Sequence, residues 1–393
     1  MSIARGVMAA SVCFDDAGHR LHRPPCPPTS DFAQVRILFP DDALAKENTM
    51  GRRPLKYTTS HVPVSWAAAP APAEGRSATP STVSLVDVSP ALPVIDFFAA
   101  RFPRVPQSEW QRRLAHGLVF DDHGTPLAAD ALCAGHTRLH YYREVAAEPL
   151  IPFDEEVLAV EDGFVVAYKP PFLPVTPGGA HVTACLLHRL SLALGEPGLV
   201  PVHRLDRDTS GVVVFARSPA AAAELGGQFA AQSVERCYEA VALAAGEAGA
   251  RWEVANGLGV GEPWFRTAVV AGPPNAWTDI VLARVAAAGS DTEPVEEGRQ
   301  RLGHYTLAPR SGRKHQLRLH MTSIGAPILN DRLYPELLPE APPDPAHPLQ
   351  LAAVALAFMW GGHRQRFVAP RARLVEQLGG ENVVLRAFWS AEE

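Results

Sequence analysis

The chain has 393 residues, 47% of them hydrophobic, and a formal net charge of −6. This size and composition predict a globular protein of two or three domains with a sizeable core. The five cysteines form no Cys-x-x-Cys pair, and the histidines show no His-Glu-x-x-His spacing. The sequence therefore predicts neither a disulfide framework nor a metal site and favours a reducing, cytoplasmic location. No apolar run approaches the roughly 20 residues of a membrane span.

The first segment, residues 1–85, alternates proline, alanine, serine and threonine without helical or strand periodicity. This composition predicts a disordered or loosely packed extension. Met50 precedes a short basic arm, and we consider it as an alternative start of the native protein.

Residues 90–148 show the pattern of a small module with two helices and a hairpin. Val94, Phe97 and Phe98 lie at helical spacing, Ser108 is expected to cap the second helix, and 138–142 is expected to be a strand. Four arginines add positive charge to the helical part: Arg101, Arg104, Arg112 and Arg113. The layout resembles a small RNA-binding module first described in a ribosomal protein. The alternative is a packing appendage without RNA contacts.

Residues 151–393 carry the remaining elements. These are predicted as a hairpin over 157–168, helices over 186–194 and 218–231, and a strand over 236–243. The part from 244 to 303 is strand-like, but its turn signals do not allow it to be divided into elements.

A charged loop, His203–Gly211, lies between two β-branched apolar runs that are expected to be buried strands. In it Asp206 stands between Arg204 and Arg207. Neighbouring cations keep a carboxylate ionised, and an ionised, fixed carboxylate can act as a nucleophile or a base. The alternative for these residues is a solvated ion-pair network, which contributes about 0–1 kcal/mol to stability.

A basic segment follows a predicted turn near the end of the strand-like region. It contains Arg310, Arg313, Lys314 and Arg318, together with His315 and His320. Clustered cations suit contacts with phosphates in spite of the acidic total charge. The interleaved Leu317 and Leu319 indicate that part of the segment is buried, so some of its cations must find partners inside the protein.

Three segments in this order, His203–Gly211, Arg236-Cys237-Tyr238 and Ser311–Arg318, together with Lys169-Pro170, resemble the RluA-type RNA pseudouridine synthases. The resemblance covers residues 151–393 and implies an α+β fold, with a mixed, largely antiparallel central sheet, flanking helices and an active-site cleft. It implies that Asp206 is the essential carboxylate. It also implies that Tyr238 packs on the target base and is a candidate proton acceptor, that Arg318 pairs with the carboxylate, and that Leu317 lines the base pocket.

The same resemblance implies an enzyme that isomerises uridine in ribosomal or transfer RNA, without a metal or an organic cofactor. We expect a monomer, because nothing in the sequence indicates an extended interface. The residues expected to bind the substrate are Arg204, Leu317, His203, Arg207, Arg313, Lys314, His315 and Gln316. This sequence departs from the family pattern at Arg236, Phe172 and 328–331, which leaves the identity of the target RNA open.

The proposed chemistry sets physical requirements. Breaking the N-glycosidic bond and rejoining the base through carbon needs a site closed to water, and the base must first leave its stack, at a cost of a few kcal/mol. Attack on the sugar, attack on the base and removal of a ribose proton all remain open for Asp206. Two other functions compete: a non-catalytic RNA-binding protein, and a glycoside hydrolase that pairs Asp206 with Asp208. The hydrolase would need one carboxyl group with a raised pKa.

Overall fold

The computed structural model describes residues 76, 80–85, 88–103, 105–145, 147–287 and 301–390. Almost all of the predicted amino-terminal extension, with Met50, lies outside the described residues, as does Arg104.

The first described unit is a three-stranded sheet covered by two helices. Its elements are β1 (Ser81–Ser84), α1 (Val94–Arg101), α2 (Gln107–Ala115), β2 (Val119–Phe120) and β3 (Arg138–Tyr141). The strand order is β1-β3-β2, and both pairings are antiparallel. The rings of Phe98, Trp110 and Tyr141 form its core, with the first two stacked at 4.3 Å.

Two sequence predictions for this unit need correction. Residues 81–84 were assigned to the loose extension, but they pair with β3 over four positions because their alternating side chains place one face on the core. Ser108 does not cap α2, since the helix begins at Gln107 and Pro106 occupies the cap position. The fixed φ of proline favours helix entry at that point.

Ion pairs within this unit engage two of its four predicted RNA-binding arginines. Arg112 pairs with Glu109 and Glu144, and Arg113 pairs with Glu109. Arg101 lies over the ring of Phe102. These internal contacts favour a packing role over phosphate binding.

The larger unit is built on a ten-stranded sheet with the order β4-β5-β7-β14-β8-β13-β12-β9, to which β15 adds beside β14 and β6 beside β7. Its strands are β4 (Glu156–Val160), β5 (Phe164–Lys169), β6 (Val200–Pro201), β7 (Ser210–Ala216), β8 (Glu235–Leu243), β9 (Arg251–Asn256), β12 (Ala276–Ala287), β13 (Arg301–Pro309), β14 (Leu351–Trp360) and β15 (His363–Val368). Only the β7–β14 pair is parallel. The predicted α+β fold with a largely antiparallel sheet is confirmed.

Helices flank this sheet, and a separate ribbon projects from it. The helices are α3 (Leu186–Leu194), α4 (Pro219–Ala230), α5 (Gln316–Ser323), α6 (Arg371–Leu374), which continues into a π-helical turn (Val375–Gly379), and α7 (Val383–Ser390). The ribbon pairs β10 (Leu258–Val260) with β11 (Thr267–Val269). The predicted helices α3 and α4 are confirmed, with Gly195 in the left-handed conformation at the end of α3 and the Ser218 hydroxyl capping α4.

The predicted strand before the charged loop differs from expectation. β6 has only two residues, and Val200 is exposed. The strand pairs only with the last two residues of β7, at the margin of the sheet. β7 is buried along its whole length. At its start Gly211 has φ +124°, and a Cβ there would lie 2.2 Å from Ala353 O. Glycine therefore permits the close approach of β14, which fixes the carboxyl end of the loop.

Two apolar clusters meet at the centre of the sheet. One joins α3 to β5 and β7, and the other joins α5 to β12 and β13. Tyr238 on β8 packs against both clusters. The junction of the two cores is the position of the cleft described below.

The neighbour of Tyr238 on β8 anchors the carboxyl-terminal helices. Glu239 is 1% exposed and accepts hydrogen bonds from Arg371 (2.7 Å) and from His304 Nε2 (3.0 Å). Burial raises the pKa of its carboxyl group, but the bonds from Arg371 and His304 outweigh burial and lower the pKa to about 2.

We predict that Glu239→Gln lowers the free energy of unfolding by about 3 kcal/mol at pH 7. Because the folded pKa lies below the unfolded value of about 4.3, this stabilisation is complete above that value and is lost as the pH falls towards 2. Denaturant titrations at several pH values should therefore show the wild-type advantage shrinking in acid. Glu247→Gln, at an exposed pair with Arg301, is the matched control and should leave stability nearly unchanged, because solvent screens an exposed pair. A wild-type advantage that does not vary with pH would contradict the assignment.

Candidate active site

The charged loop carries Asp206 between β6 and β7. Leu205 is buried in the α3 cluster, and Thr209 N donates to Asp206 O at 3.2 Å. The Asp206 side chain is 28% exposed. The backbone of the residue is thus fixed while its carboxylate stays accessible.

Lys169, at the end of β5, holds this loop from the interior of the protein. Its side chain is fully buried, and Nζ donates to Pro170 O, Leu173 O and Arg207 O at 2.9, 2.7 and 2.9 Å. Burial lowers the pKa of Lys169 to about 7, while Asp208 and Asp206 oppose that shift. Three carbonyl acceptors match the three protons of an ammonium group, so the charged form is the one that satisfies this geometry.

A cleft of about 830 Å³ opens above the loop, which is within the range of small-molecule sites. Ten of the predicted site residues line it: Asp206, Tyr238, Arg318, Arg204, Leu317, His203, Arg313, Lys314, His315 and Gln316. Arg207 is not among the lining residues. Its guanidinium pairs with Asp208 at 2.8 Å, so the structure does not place it for substrate contact.

The predicted ion pair between Arg318 and Asp206 is not present among the described residues. Arg318 is 2% exposed and forms a two-point contact with Asp331, with Nε to Oδ2 at 2.7 Å. Its guanidinium also lies 5.4 Å from the ring centre of Tyr334. The planar fork of arginine matches one carboxylate, and Asp331 occupies it. Burial lowers the pKa of Arg318, but Asp331 and then Asp206 raise it, and the net shift is upward. Arg318 and Asp206 therefore interact through their charges.

His315 faces Asp206 instead, with Nε2 at 4.0 Å from Oδ2. It has φ +54° at the start of α5, a conformation that costs energy for any residue but glycine. Burial lowers its pKa, so the ring is neutral at pH 7. Nδ1 lies 2.8 Å from Tyr334 Oη. Tyr334 donates its single hydroxyl proton to Thr267 O, and His315 Nδ1 lies within hydrogen-bond distance of the same hydroxyl oxygen.

Tyr238 forms the opposite wall of the cleft. It is half-buried on β8, with Leu307 and Ala353 as its strand partners on either side. Burial raises its pKa to about 12, with Asp206 adding to the shift. The phenol therefore keeps its proton at neutral pH and presents a neutral aromatic face.

Several predicted binding residues have internal partners. Gln316 accepts from Ser311 Oγ and Arg313 N, and its amide donates to Trp277 O and Thr278 Oγ1. It thus orders the basic turn. His203 Nε2 accepts from Val214 N, and its ring stacks on Phe229 at 4.6 Å.

His203 and His320 are both shifted towards their neutral forms. Burial lowers the pKa of His203 to about 3, with Arg236 adding to the shift, and burial lowers that of His320 to about 4. Both rings are neutral at pH 7. The positively charged side chains of the cleft are therefore the exposed Arg204, Arg313 and Lys314, the half-buried Arg236 and the buried Arg318.

Asp208 does not provide the protonated partner that a glycoside hydrolase requires. Burial raises its pKa, but Arg207, Arg318 and Lys169 outweigh burial, and the net shift is downward. A carboxyl group in this position is ionised at neutral pH, which argues against the hydrolase.

Three residues contribute to the site although their roles were not predicted from the sequence: Asp331, Tyr334 and Trp264. Asp331 and Tyr334 follow the basic segment by a short distance, and no role was predicted for either residue. An aspartate 13 residues after a buried arginine is a usable signal only if that arginine is known to need a partner. Trp264, next to Phe265, lies in a region that could not be divided into elements from the sequence.

The described ranges show no features of a membrane span or of a metal site. Among the helices there, none has the length and apolar character to span a bilayer. The same ranges contain no group of three or more His, Cys, Asp or Glu side chains arranged to hold a metal ion.

Comparison with known proteins gives consistent matches. The sequence profile of the family described as RNA pseudouridylate synthase matches residues 163–323. Ribosomal large subunit pseudouridine synthase D of Xanthomonas campestris is 30% identical over 256 residues, which are 60% of this chain and 69% of that protein. An uncharacterized RNA pseudouridine synthase of Synechocystis is 29% identical over 247 residues, 61% of this chain and 79% of that protein. Among solved structures, human RNA pseudouridylate synthase domain containing 1 covers 57% of this chain and 86% of its own, with 21% identity and a TM-score of 0.43.

We predict that Lys169→Met loosens the charged loop. The substitution leaves three carbonyl oxygens without their donor, and each buried unpaired group costs about 1–3 kcal/mol, so we expect the free energy of unfolding to fall by about 3 kcal/mol. Hydrogen exchange of peptides covering 202–211 should accelerate more than exchange in α7. Arg310→Met, at an exposed pair with Asp279, is the control. Unchanged exchange in the loop would show that Lys169 does not hold it.

Proposed function

Because this chain belongs to the family of RluA-type RNA pseudouridine synthases, we propose that its cleft isomerises uridine to pseudouridine within RNA and that Asp206 carries the reaction. The observation that supports this most is the placement of an accessible carboxylate on a fixed loop, opposite a neutral aromatic ring and below exposed cations. The enzyme acts on RNA, and its reaction detaches the base, turns it and rejoins it through C5.

Asp206 is proposed as the group that acts on the nucleotide. Its carboxylate is the one acidic side chain among the residues that line the cleft. His315 Nε2 lies 4.0 Å from Oδ2, beyond hydrogen-bond distance, and among the described residues no arginine is close enough to occupy both carboxylate oxygens. An oxygen of Asp206 is therefore available for the sugar or the base. Attack on either, or removal of a ribose proton, fits this geometry.

Tyr238 is proposed to stack on the extruded base. Flipping a base costs a few kcal/mol, and stacking on an aromatic side chain recovers about 1–3 kcal/mol. The half-buried ring suits this role. The alternative role, accepting a proton, would need a phenolate, and a pKa of about 12 disfavours that form.

Arg318 is proposed to act through its field and its packing. With its fork occupied by Asp331, it orients the α5 wall on which Leu317 contacts the base, and its charge also acts on Asp206 without a direct pair. The reaction also requires that water be excluded, but the Asp206 side chain is 28% exposed in the open cleft. The RNA itself must complete the exclusion of solvent.

Three exposed cations, Arg204, Arg313 and Lys314, are proposed to contact the phosphates that flank the target. They lie on the rim of the same cleft and offset the net charge of −6 locally. The substrate-contact role predicted for Arg207 is not carried forward, because its guanidinium pairs with Asp208.

Ribosomal RNA is the proposed target class, with transfer RNA as the alternative. The Xanthomonas relative is by its name an enzyme of the large ribosomal subunit. A monomer in the cytoplasm is part of the same proposal. Cys133 and Cys185 are buried and form no disulfide, which supports a reducing location. The module over 90–148 is proposed as a packing unit because Arg112 and Arg113 form ion pairs within it.

We expect Asp206→Asn to reduce pseudouridine formation by about 10³-fold or more, because the amide cannot supply the negative oxygen. The measurement is tritium release from in vitro transcribed ribosomal RNA labelled at C5 of uridine. Affinity for the same RNA, measured by filter binding, should remain within about threefold.

Asp279→Asn is the matched control, since Asp279 pairs with Arg310 outside the cleft. It should leave tritium release unchanged. Full activity of the Asp206 variant would refute the proposed role of the carboxylate. Inactive wild-type protein that still binds RNA would favour the RNA-binding alternative.

The target class has a separate test. Pseudouridine should be mapped in ribosomal and transfer RNA from cells with and without the gene. We expect at least one site in large-subunit ribosomal RNA to disappear. Loss confined to transfer RNA would reassign the substrate.

A further inference from the structure

The β10–β11 ribbon presents a tryptophan at the mouth of the cleft. Gly261 N donates to Arg266 O and Arg266 N to Pro263 O, which closes the loop between the two strands. Trp264 in this loop is 63% exposed and lines the same cleft as Asp206. A large aromatic side chain that stays exposed beside a functional cleft is typical of a binding surface.

The ribbon is tied to the active site through Tyr334. Thr267 N donates to Tyr334 Oη at 2.7 Å, and Tyr334 Oη lies 3.0 Å from Thr267 O. The same hydroxyl contacts His315, whose other ring nitrogen faces Asp206. A continuous set of contacts therefore fixes the position of the ribbon relative to the reacting carboxylate.

A cation lies over the indole ring. Lys314 Nζ is 5.9 Å from the centre of the Trp264 ring, and Lys314 and Arg313 are both exposed on the rim of the cleft. An aromatic face with an adjacent cation matches one nucleotide unit, because the base can stack while its phosphate meets the ammonium group.

We propose that Trp264 is a stacking platform for a nucleobase next to the target uridine, with Lys314 holding the adjoining phosphate. This inference rests on the proposed function and deepens it. The platform accepts any base, because every base has a flat π face, and so it sets the path of the strand rather than the sequence that is selected. The class of ligand is a single-stranded or unpaired RNA segment that passes over the rim of the cleft.

The test uses two fluorescein-labelled probes with the same backbone: an oligouridylate of about 12 nucleotides and an abasic ribose-phosphate oligomer of equal length. Their affinities for the full-length protein are measured by fluorescence anisotropy. Trp264→Ala should weaken binding of the oligouridylate about tenfold or more and leave binding of the abasic oligomer unchanged. Trp264→Phe should give an intermediate loss, since it keeps a smaller aromatic face.

Two variants serve as controls. Val260→Ala removes another exposed apolar side chain of the same ribbon, 80% exposed and outside the cleft lining, and should change neither affinity. Lys314→Ala should weaken both probes alike and reduce the salt dependence of binding by about one unit of slope.

Equal loss of affinity for both probes in Trp264→Ala would overturn the proposal, because it would show that the base is not recognised. Unchanged affinity for the oligouridylate would also overturn it, as would a change in oligomeric state by light scattering, which would assign the ribbon to self-association. Binding of these probes does not depend on catalysis. If Asp206→Asn kept full activity, the proposed role of Asp206 would fail while the outcome for Trp264 would still be read independently.

Discussion

The position of Asp206 depends on a lysine that is not itself in the cleft. Lys169 donates from the end of β5 to three carbonyl oxygens, one of them in the charged loop between β6 and β7. A buried ammonium group is unfavourable unless all its protons have acceptors, so the three carbonyls and the lysine fix one another. The loop can then carry a partly exposed carboxylate without a secondary structure of its own, because its backbone is held from inside the protein.

The buried ion pair between Arg318 and Asp331 sets the electrostatics above that loop. If Arg318 were paired with Asp206, the carboxylate would be engaged before substrate arrived. With Asp331 in the fork of the guanidinium, Asp206 keeps a free oxygen and the arginine still contributes its field. The Tyr334 ring lies beside this pair, and its hydroxyl contacts His315. The ion pair, the Tyr334 ring and His315 therefore contact one another in one small region. A substitution at Asp331 should change the electrostatic environment of Asp206 without a direct contact.

The elements predicted from sequence are those specified locally. α3 and α4 were found because an apolar stripe, a closing glycine and a serine cap lie within the helices themselves, and β5 and β7 because they are continuously buried. β9 alternates between exposed and half-buried residues, as expected for a strand, but the turn signals around it and around the ribbon did not allow the region to be divided into elements. The residues of the cleft were identified by family resemblance, but the partner of Arg318 was wrong, since a motif gives the residue types and not the pairing that packing selects. Trp264 could not be found, because one aromatic residue in a loop has no periodicity.

Exclusion of water connects the two ends of the cleft. The reaction needs a dry site, yet the Asp206 side chain is partly open to solvent in the unbound protein. The protein contributes one aromatic wall at Tyr238, deep in the cleft, and a second aromatic face at Trp264 on the rim. A strand that inserts one base against the first and rests its neighbour on the second would cover the carboxylate with its own sugar and base. In that arrangement the substrate closes the site, so that binding and desolvation of Asp206 occur together, and the free energy of stacking at the rim offsets part of the cost of base flipping.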